Sequence, residues 1–183
     1  MALIESTAVT LESAAPSFSL QGVDDKQHSL ADFQDANILV MIFMCNHCPY
    51  VQACIDRLIT LQGEFSERGV RFIGINSNDS TDYPADSFEA MKIFSSERNM
   101  NFPYLFDETQ DVARVYGAVC TPDIFVYDAE RMLRYHGRID NNWKDESKAT
   151  THELSDALAK MIEGEVPQEV QHPSMGCSIK WKQ

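Results

Sequence analysis

Ile38-Leu-Val-Met-Ile-Phe-Met-Cys-Asn-His-Cys-Pro-Tyr-Val51 is the stretch whose reading decides the fold. The unbroken apolar run from Ile38 to Met44 has the length of a strand and lacks the alternation of a half-solvated one, so it reads as a central strand covered on both faces. Directly after Cys45-Asn-His-Cys48, the residues Val51, Ile55, Leu58, Leu61 and Phe65 recur at helical spacing, and Gly69 supplies a stop. A buried strand therefore feeds a helix, with two cysteines at the junction.

The same reading extends outward. Phe18 and Leu20 alternate with polar neighbours, and Ser29 can cap a short helix through Phe33. Val70–Ile75 is a second buried strand, and Asp86-Ser-Phe-Glu89 opens a helix carrying Phe88, Met91 and Ile93 as a variant capping box. Phe102–Phe106 is extended, Thr109–Tyr116 a short helix ended by Gly117, and Ile124–Tyr127 with Met132–Tyr135 a hairpin. A last helix spans residues 151–162, and the tail from Pro167 onward reads as irregular. Strands alternating with helices imply an α/β fold, a central mixed sheet flanked by helices, with an extended N-terminal segment and an antiparallel hairpin at one edge. Across 183 residues no repeat or linker divides the chain, so residues 1–183 are expected as one domain, with 165–183 a tail docked on it.

The formal charge of −13 argues against nucleic acid and anionic membrane surfaces as partners. No apolar run approaches the roughly 18 residues a membrane helix needs. The N-terminal residues carry neither a basic leader nor an apolar signal core, so a cytoplasmic location is expected. Five cysteines make an odd set for a disulfide scaffold, and in a reducing compartment they point to catalysis, metal binding or plain burial.

The spacing of Cys45 and Cys48 lets two thiols meet across the first turn of a helix. There, unpartnered N–H groups and the positive end of the dipole favour a thiolate, assigned to Cys45. His47, if cationic, adds to that effect and makes the pair more oxidising, while Pro49 suits the first helical turn. Two other chemistries fit the pair. One is a zinc half-site completed by His172 and Cys177, which lacks the second close pair that structural sites usually show; the other is inert burial. The redox reading, with no metal and no cofactor beyond a redox-active disulfide, is preferred because strand, dithiol and helix follow in order. Cys54 falls on the apolar face of the helix and reads as core. The stretch Asn76-Ser-Asn-Asp-Ser-Thr-Asp82 lacks the central Gly and closing Glu of a calcium loop and reads as turn and caps.

The chain resembles the thioredoxin superfamily, and within it the peroxiredoxin-like (AhpC/TSA or redoxin) and TlpA-like branch. The resemblance rests on Ala15-Pro-Ser-Phe-Ser-Leu20, the strand into Cys45-Asn-His-Cys48, Phe106-Asp-Glu-Thr-Gln110, Val115-Tyr-Gly-Ala-Val-Cys-Thr-Pro122 and Gly176-Cys-Ser-Ile-Lys-Trp181. It implies that Cys45 is the nucleophilic thiol and Cys48 the resolving thiol, with Asn46 and His47 as supporting residues. The position of Cys45 ahead of the helix and of Cys48 within its first turn predicts that Cys45 is exposed and Cys48 shielded. It also implies a cis peptide at Thr121–Pro122 that leaves the Thr121 backbone open to an extended substrate. The sequence departs from the family in carrying Met44 and Leu39 where thioredoxins have a Trp and a buried acid. Ile42 and Ile38 stand where peroxidases of this family have Thr and Pro. The implied function is dithiol–disulfide exchange with protein or small-molecule disulfides and thiols, with hydroperoxide reduction as the alternative and a non-enzymatic redox sensor as a third. Cys120 and Cys177 are candidates for further redox thiols, on the expectation that the tail folds back and joins them in a Cys120–Cys177 disulfide.

Overall fold

The structure, a computed structural model, describes residues 3–167 and 170–183. In chain order it runs β1 (Leu3–Glu5), β2 (Ser19–Gly22), β3 (Gln27–Ser29), β4 (Ile38–Phe43), α1 (Pro49–Phe65), β5 (Val70–Asn76) and α2 (Phe88–Glu97). It continues with β6 (Tyr104–Phe106), α3 (Asp111–Tyr116), β7 (Cys120–Thr121), β8 (Asp123–Tyr127), β9 (Leu133–Gly137), α4 (Glu153–Ile162) and β10 (Met175–Ser178).

The main sheet has the order β3-β2-β6-β5-β4-β8-β9, and β4 lies inside it as its apolar run requires. β4 pairs in parallel with β5, Ile38 opposite Val70 and Phe43 opposite Ile75, and antiparallel with β8, Leu39 opposite Tyr127. Every residue of β4 is buried because both faces are covered. Ile38, Val40 and Ile42 pack on Val51, Ile55 and Leu58 of α1 and on Leu154 and Leu158 of α4. Leu39, Met41 and Phe43 face Phe33, Ala113 and Tyr116 on the other side. Each such side chain contributes about 1.5–3 kcal/mol by leaving water. The two sides of β4 therefore hold the layers together, and its end sets down Met44 and Cys45 at a fixed place.

Four details differ from the sequence reading. α2 is capped by Ser87, whose hydroxyl accepts from the Ala90 N–H, because the Asp86 carboxylate turns away toward Asn46 and His47. Ile93 is 59 % exposed while Met91 carries the buried face of that helix. The tail contains β10, which with β1 and β7 makes a second, antiparallel sheet. Within the tail Pro167 is buried, Val166 and Val170 are 77 % and 71 % exposed, residues 168–169 lie outside the described residues, and hydrogen bonding to the rest of the chain resumes at Gln171.

From Gln171 onward the docking is continuous. The Gln171 side chain accepts from the His136 N–H and donates to the Arg134 carbonyl, and the Arg138 N–H donates to the His172 carbonyl. The outer edge of β9 is thereby covered rather than left as an open template. The tail ends with Ile179 in the core and Trp181 under the Arg114 guanidinium, 4.4 Å from ring centre to cation.

Truncating Leu158, fully buried where α4 meets β4, should cost about 2–5 kcal/mol in denaturant unfolding. Leu158→Ala should leave the dithiol chemistry of the folded protein unchanged, which thiol labelling before and after unfolding checks.

Candidate active site

β4 ends one residue before Met44, whose N–H still donates to the Ile75 carbonyl, and Cys45 follows in the loop. Cys48 is the N-cap of α1 in extended conformation (φ −70°, ψ 120°), and Pro49 takes the first helical position. It is thus the second cysteine, not the first, that sits at the positive end of the helix. Both thiols are 0 % exposed, so the expected exposed Cys45 is corrected: it is sealed beneath the loop.

The two sulfurs differ in charge preference. The Cys45 thiol donates a hydrogen bond to Cys48, and with burial and the nearby Asp86 charge this raises the Cys45 pKa well above that of an ordinary thiol. Cys48 is lowered to about 5 by the hydrogen bond from Cys45, helped by Thr121, the Val51 N–H and Cys177, against the opposing effect of burial. The protonated Cys48 thiol also donates to the Thr121 carbonyl at 3.1 Å, a bond given up when Cys48 ionises, and the Cys45 sulfur lies 3.5 Å from the Thr121 hydroxyl.

The loop between the cysteines is held by a buried acid that sequence reasoning treated as a helix cap. Asp86 accepts from the Asn46 N–H at 2.8 Å and the His47 N–H at 3.3 Å through one oxygen. Its other oxygen accepts from Asn78 at 2.7 Å and meets His47 Nδ1 at 2.5 Å. Asn46 is tied further: its amide donates to the Ala85 carbonyl, its side-chain oxygen accepts from the Tyr104 hydroxyl, and its carbonyl accepts from Gln52. His47 stacks on Tyr83, with ring centres 5.6 Å apart and planes 7° from parallel. Asn46 and His47 therefore fix the loop conformation, and the His47 ring is held by Asp86 and Tyr83. The polar stretch after β5 takes part too. Asn76 donates to the Asp86 carbonyl, and the Asn78 side-chain oxygen accepts from the Lys180 N–H of the tail. A run of buried Asn and Asp after an apolar strand was the available signal, and turn propensity masked it.

Cys45, His47 and Asp86 offer ligand atoms within 4.8 Å of one another, so this trio is where a cation could be held. The His47 nitrogen and the Asp86 oxygen are hydrogen-bonded at 2.5 Å, closer than two ligands of a tetrahedral zinc stand, and both Asp86 oxygens already accept other bonds. The arrangement fits a hydrogen-bond network. His172 is not in the group.

Thr121–Pro122 is cis, as the resemblance implies, and stands beside the dithiol. The Thr121 backbone is not open, however. β10 pairs with β7, Cys177 opposite Thr121 and Ser178 opposite Cys120, and β1 covers the far side of β10. Gly176 permits this approach: a Cβ there would lie 1.9 Å from the Thr121 carbonyl oxygen. The Cys177 thiol donates to the Cys48 sulfur, and its own pKa is pushed up to about 12 by burial and that bond. Cys120, one residue from Thr121 along the strand, points to the other face, where its thiol donates to the Pro122 carbonyl at 3.8 Å. The register thus sets Cys177 toward Cys48 rather than toward Cys120. Burial pushes the Cys120 and Cys54 pKa values up, the latter to about 12, and Cys54 is core as read. Beside Pro122, a cavity of about 250 Å³ is lined by Tyr50, Trp143, Ile139, Met175 and Arg138. Its floor is braced by buried Arg57, which pairs with Asp140 and donates to the Trp143 carbonyl.

A strand-to-helix dithiol beside a cis-proline strand defines a redox protein of the thioredoxin fold, of the peroxiredoxin and thiol–disulfide oxidoreductase type. The profile of the AhpC/TSA family matches residues 11–136, and the chain belongs to that family. It is 36 % identical over 106 residues to Peroxiredoxin Bcp of Escherichia coli, covering 56 % of this chain and 61 % of that one. It is 24 % identical over 126 residues to the thiol-disulfide oxidoreductase ResA of Geobacillus thermodenitrificans, covering 68 % and 67 %. The crystal structure of an uncharacterized conserved protein from Geobacillus kaustophilus superposes with a TM-score of 0.94 at 39 % identity, covering 100 % of this chain and 97 % of the other. Among the described residues no helix is long and apolar enough to cross a membrane.

Two outcomes follow. Asp86→Ala should lower unfolding stability by about 3 kcal/mol, since it strands the Asn46, His47 and Asn78 donors together. Denaturant titration checks the loss. Gly176→Val should dislodge β10 and raise iodoacetamide labelling of the dithiol roughly tenfold or more, because labelling of a buried thiol follows the energy of local opening.

Proposed function

We propose that this protein is a thiol–disulfide oxidoreductase whose reacting sulfurs are Cys45 and Cys48. The observation that carries the reading is the position of the Cys48 sulfur. It caps a helix, bonds to a second thiol and lies 3.1 Å from the carbonyl of a strand edge beside a cis-proline.

An extended segment bearing a disulfide takes the place of β10 along Thr121, where backbone pairing holds it. The Cys48 thiolate attacks one sulfur of that disulfide, a Cys48–substrate bond forms, and the second substrate sulfur leaves as a thiolate that takes up a proton. The Cys45 sulfur then attacks Cys48 as its proton passes to the departing substrate sulfur; the Cys45–Cys48 bond forms, the Cys48–substrate bond breaks, and the second substrate thiol is released. The substrate gains two electrons and the dithiol loses two. This reverses the roles implied by the resemblance, because Cys48 caps the positive end of α1 while the Asp86 charge lies near Cys45. Thr121 holds both sulfurs, and Asn46, His47 and Asp86 keep the loop in shape. Partners are protein or small-molecule disulfides and thiols.

A hydroperoxide is the second substrate class, favoured by the likeness to Peroxiredoxin Bcp. In that reaction the thiolate is oxidised to a sulfenic acid, and the neighbouring thiol displaces water to give the same disulfide. Exchange is preferred because Ile42 and Ile38, buried within β4, occupy the places of the Thr and Pro that the peroxidases use.

Insulin-disulfide reduction and peroxide consumption, measured side by side, separate the two. The expected result is insulin reduction abolished in Cys48→Ser, with peroxide consumption far slower. Efficient peroxide turnover without disulfide exchange would overturn the choice. The exchange rate should hold across neutral pH and fall as pH drops through about 5, where the Cys48 thiolate is protonated. A fall already near the ordinary thiol range of about 8.5 would contradict the low Cys48 value.

A further inference from the structure

Three sulfurs, not two, meet at the start of α1. Cys177 belongs to the same buried cluster as Cys45 and Cys48, and its thiol donates to the Cys48 sulfur. It stands opposite Thr121 on a strand laid along the cis-proline edge, the edge the proposed reaction gives to a substrate. The approach is built into the sequence, since only glycine at 176 lets β10 pass the Thr121 carbonyl. The strand is also anchored on both sides of the thiol. Before it, the Ser174 hydroxyl donates to the Gly137 carbonyl and its own carbonyl accepts from Ser6. After it, the Ile179 N–H donates to the Val119 carbonyl, and Lys180 exchanges bonds with Asn78 and Asp79.

From this placement we infer that Cys177 is a third redox thiol, one that occupies the position of a substrate sulfur and exchanges with the Cys45–Cys48 disulfide by attack on Cys48. A Cys177–Cys48 bond forms, the Cys48–Cys45 bond breaks, and the proton of the Cys177 thiol passes to the departing Cys45 sulfur. Two electrons' worth of oxidation stays within the three sulfurs, so the step needs no further oxidant. The inference rests on the dithiol reading, which supplies the first disulfide.

Its consequence is a change in where the disulfide lies. Cys45–Cys48 joins two neighbours in the loop, whereas Cys48–Cys177 fastens the tail to α1 and closes the Thr121 edge. Reduction of the tail bond is then the event that lets β10 leave and a substrate strand enter. Cys120 takes no part, because it lies on the opposite face of β7 and bonds to the Pro122 carbonyl.

The test equilibrates the intact protein in glutathione buffers of graded potential, quenches in acid, alkylates, and quantifies disulfide-linked peptides. The expected result is a Cys48–Cys177 peptide alongside Cys45–Cys48. Their ratio should stay unchanged when total glutathione is raised at fixed potential, as an intramolecular exchange requires. Cys177→Ser should lose the tail peptide and keep Cys45–Cys48, while Cys45→Ser should form Cys48–Cys177 as its main disulfide. Cys45–Cys48 as the sole bond in the wild-type protein, or Cys177 linked to Cys120, would overturn the inference and leave the dithiol reading standing. No Cys45–Cys48 bond in either the wild type or Cys177→Ser would overturn both.

Discussion

The carboxylate of Asp86 is the constraint on which the site depends. A buried carboxylate loses several kcal/mol of hydration, and it persists here because Asn46, His47 and Asn78 all donate to it. Those bonds hold the two residues between Cys45 and Cys48 in one conformation, so the sulfurs keep their separation and their unequal surroundings. Asn78 carries the tie onward, giving its amide protons to Asp86 and its oxygen to the Lys180 N–H. The dithiol loop and the C-terminal tail thus share one polar anchor, set in a loop that β5 positions.

The anchored tail changes what the cis-proline edge means. In an open site, the Thr121 backbone would offer unsatisfied groups to an extended partner. Here β10 satisfies them, Gly176 allows the fit, and both Cys45 and Cys48 are closed from solvent. Ile179 and Trp181 anchor the end of the tail, Ile179 in the core and Trp181 under Arg114. The cavity beside Pro122, with Tyr50 and Trp143 4.2 Å apart between ring centres, lies next to the same edge.

The elements with strong periodicity were legible. β4 showed itself by an uninterrupted apolar run and α1 by Val51, Ile55, Leu58 and Phe65 with Pro49 at its first position; α1 ends at Phe65, and Gly69, with φ +81°, closes the short 3-10 turn 66–68 that follows it. The dithiol was legible because its spacing falls between those two elements. What stayed hidden depends on pairs distant in sequence. Nothing local distinguishes Asp86 as a carboxylate for Asn46 from Asp86 as a cap for its own helix, and Ser87 next to it serves the cap equally well. β10 was read as irregular because Met-Gly-Cys-Ser is weak strand sequence; its pairing comes from β7 and β1, far apart in the chain. The assignment of charge to Cys48 rather than Cys45 rests on where the first helical turn begins. That start, at Pro49, lies four residues after the first cysteine, and the two-residue spacing alone does not set it.

The central claim is that Cys45 and Cys48 form a reversible two-electron couple. Its most direct measurement is a redox titration of the whole protein in glutathione buffers, with thiols counted by mass after alkylation. The account predicts a single transition with the slope of a two-electron couple, about 30 mV per tenfold change, that disappears in Cys48→Ser. Thiols that stay reduced across the whole range, or a transition that survives unchanged in Cys48→Ser, would contradict it.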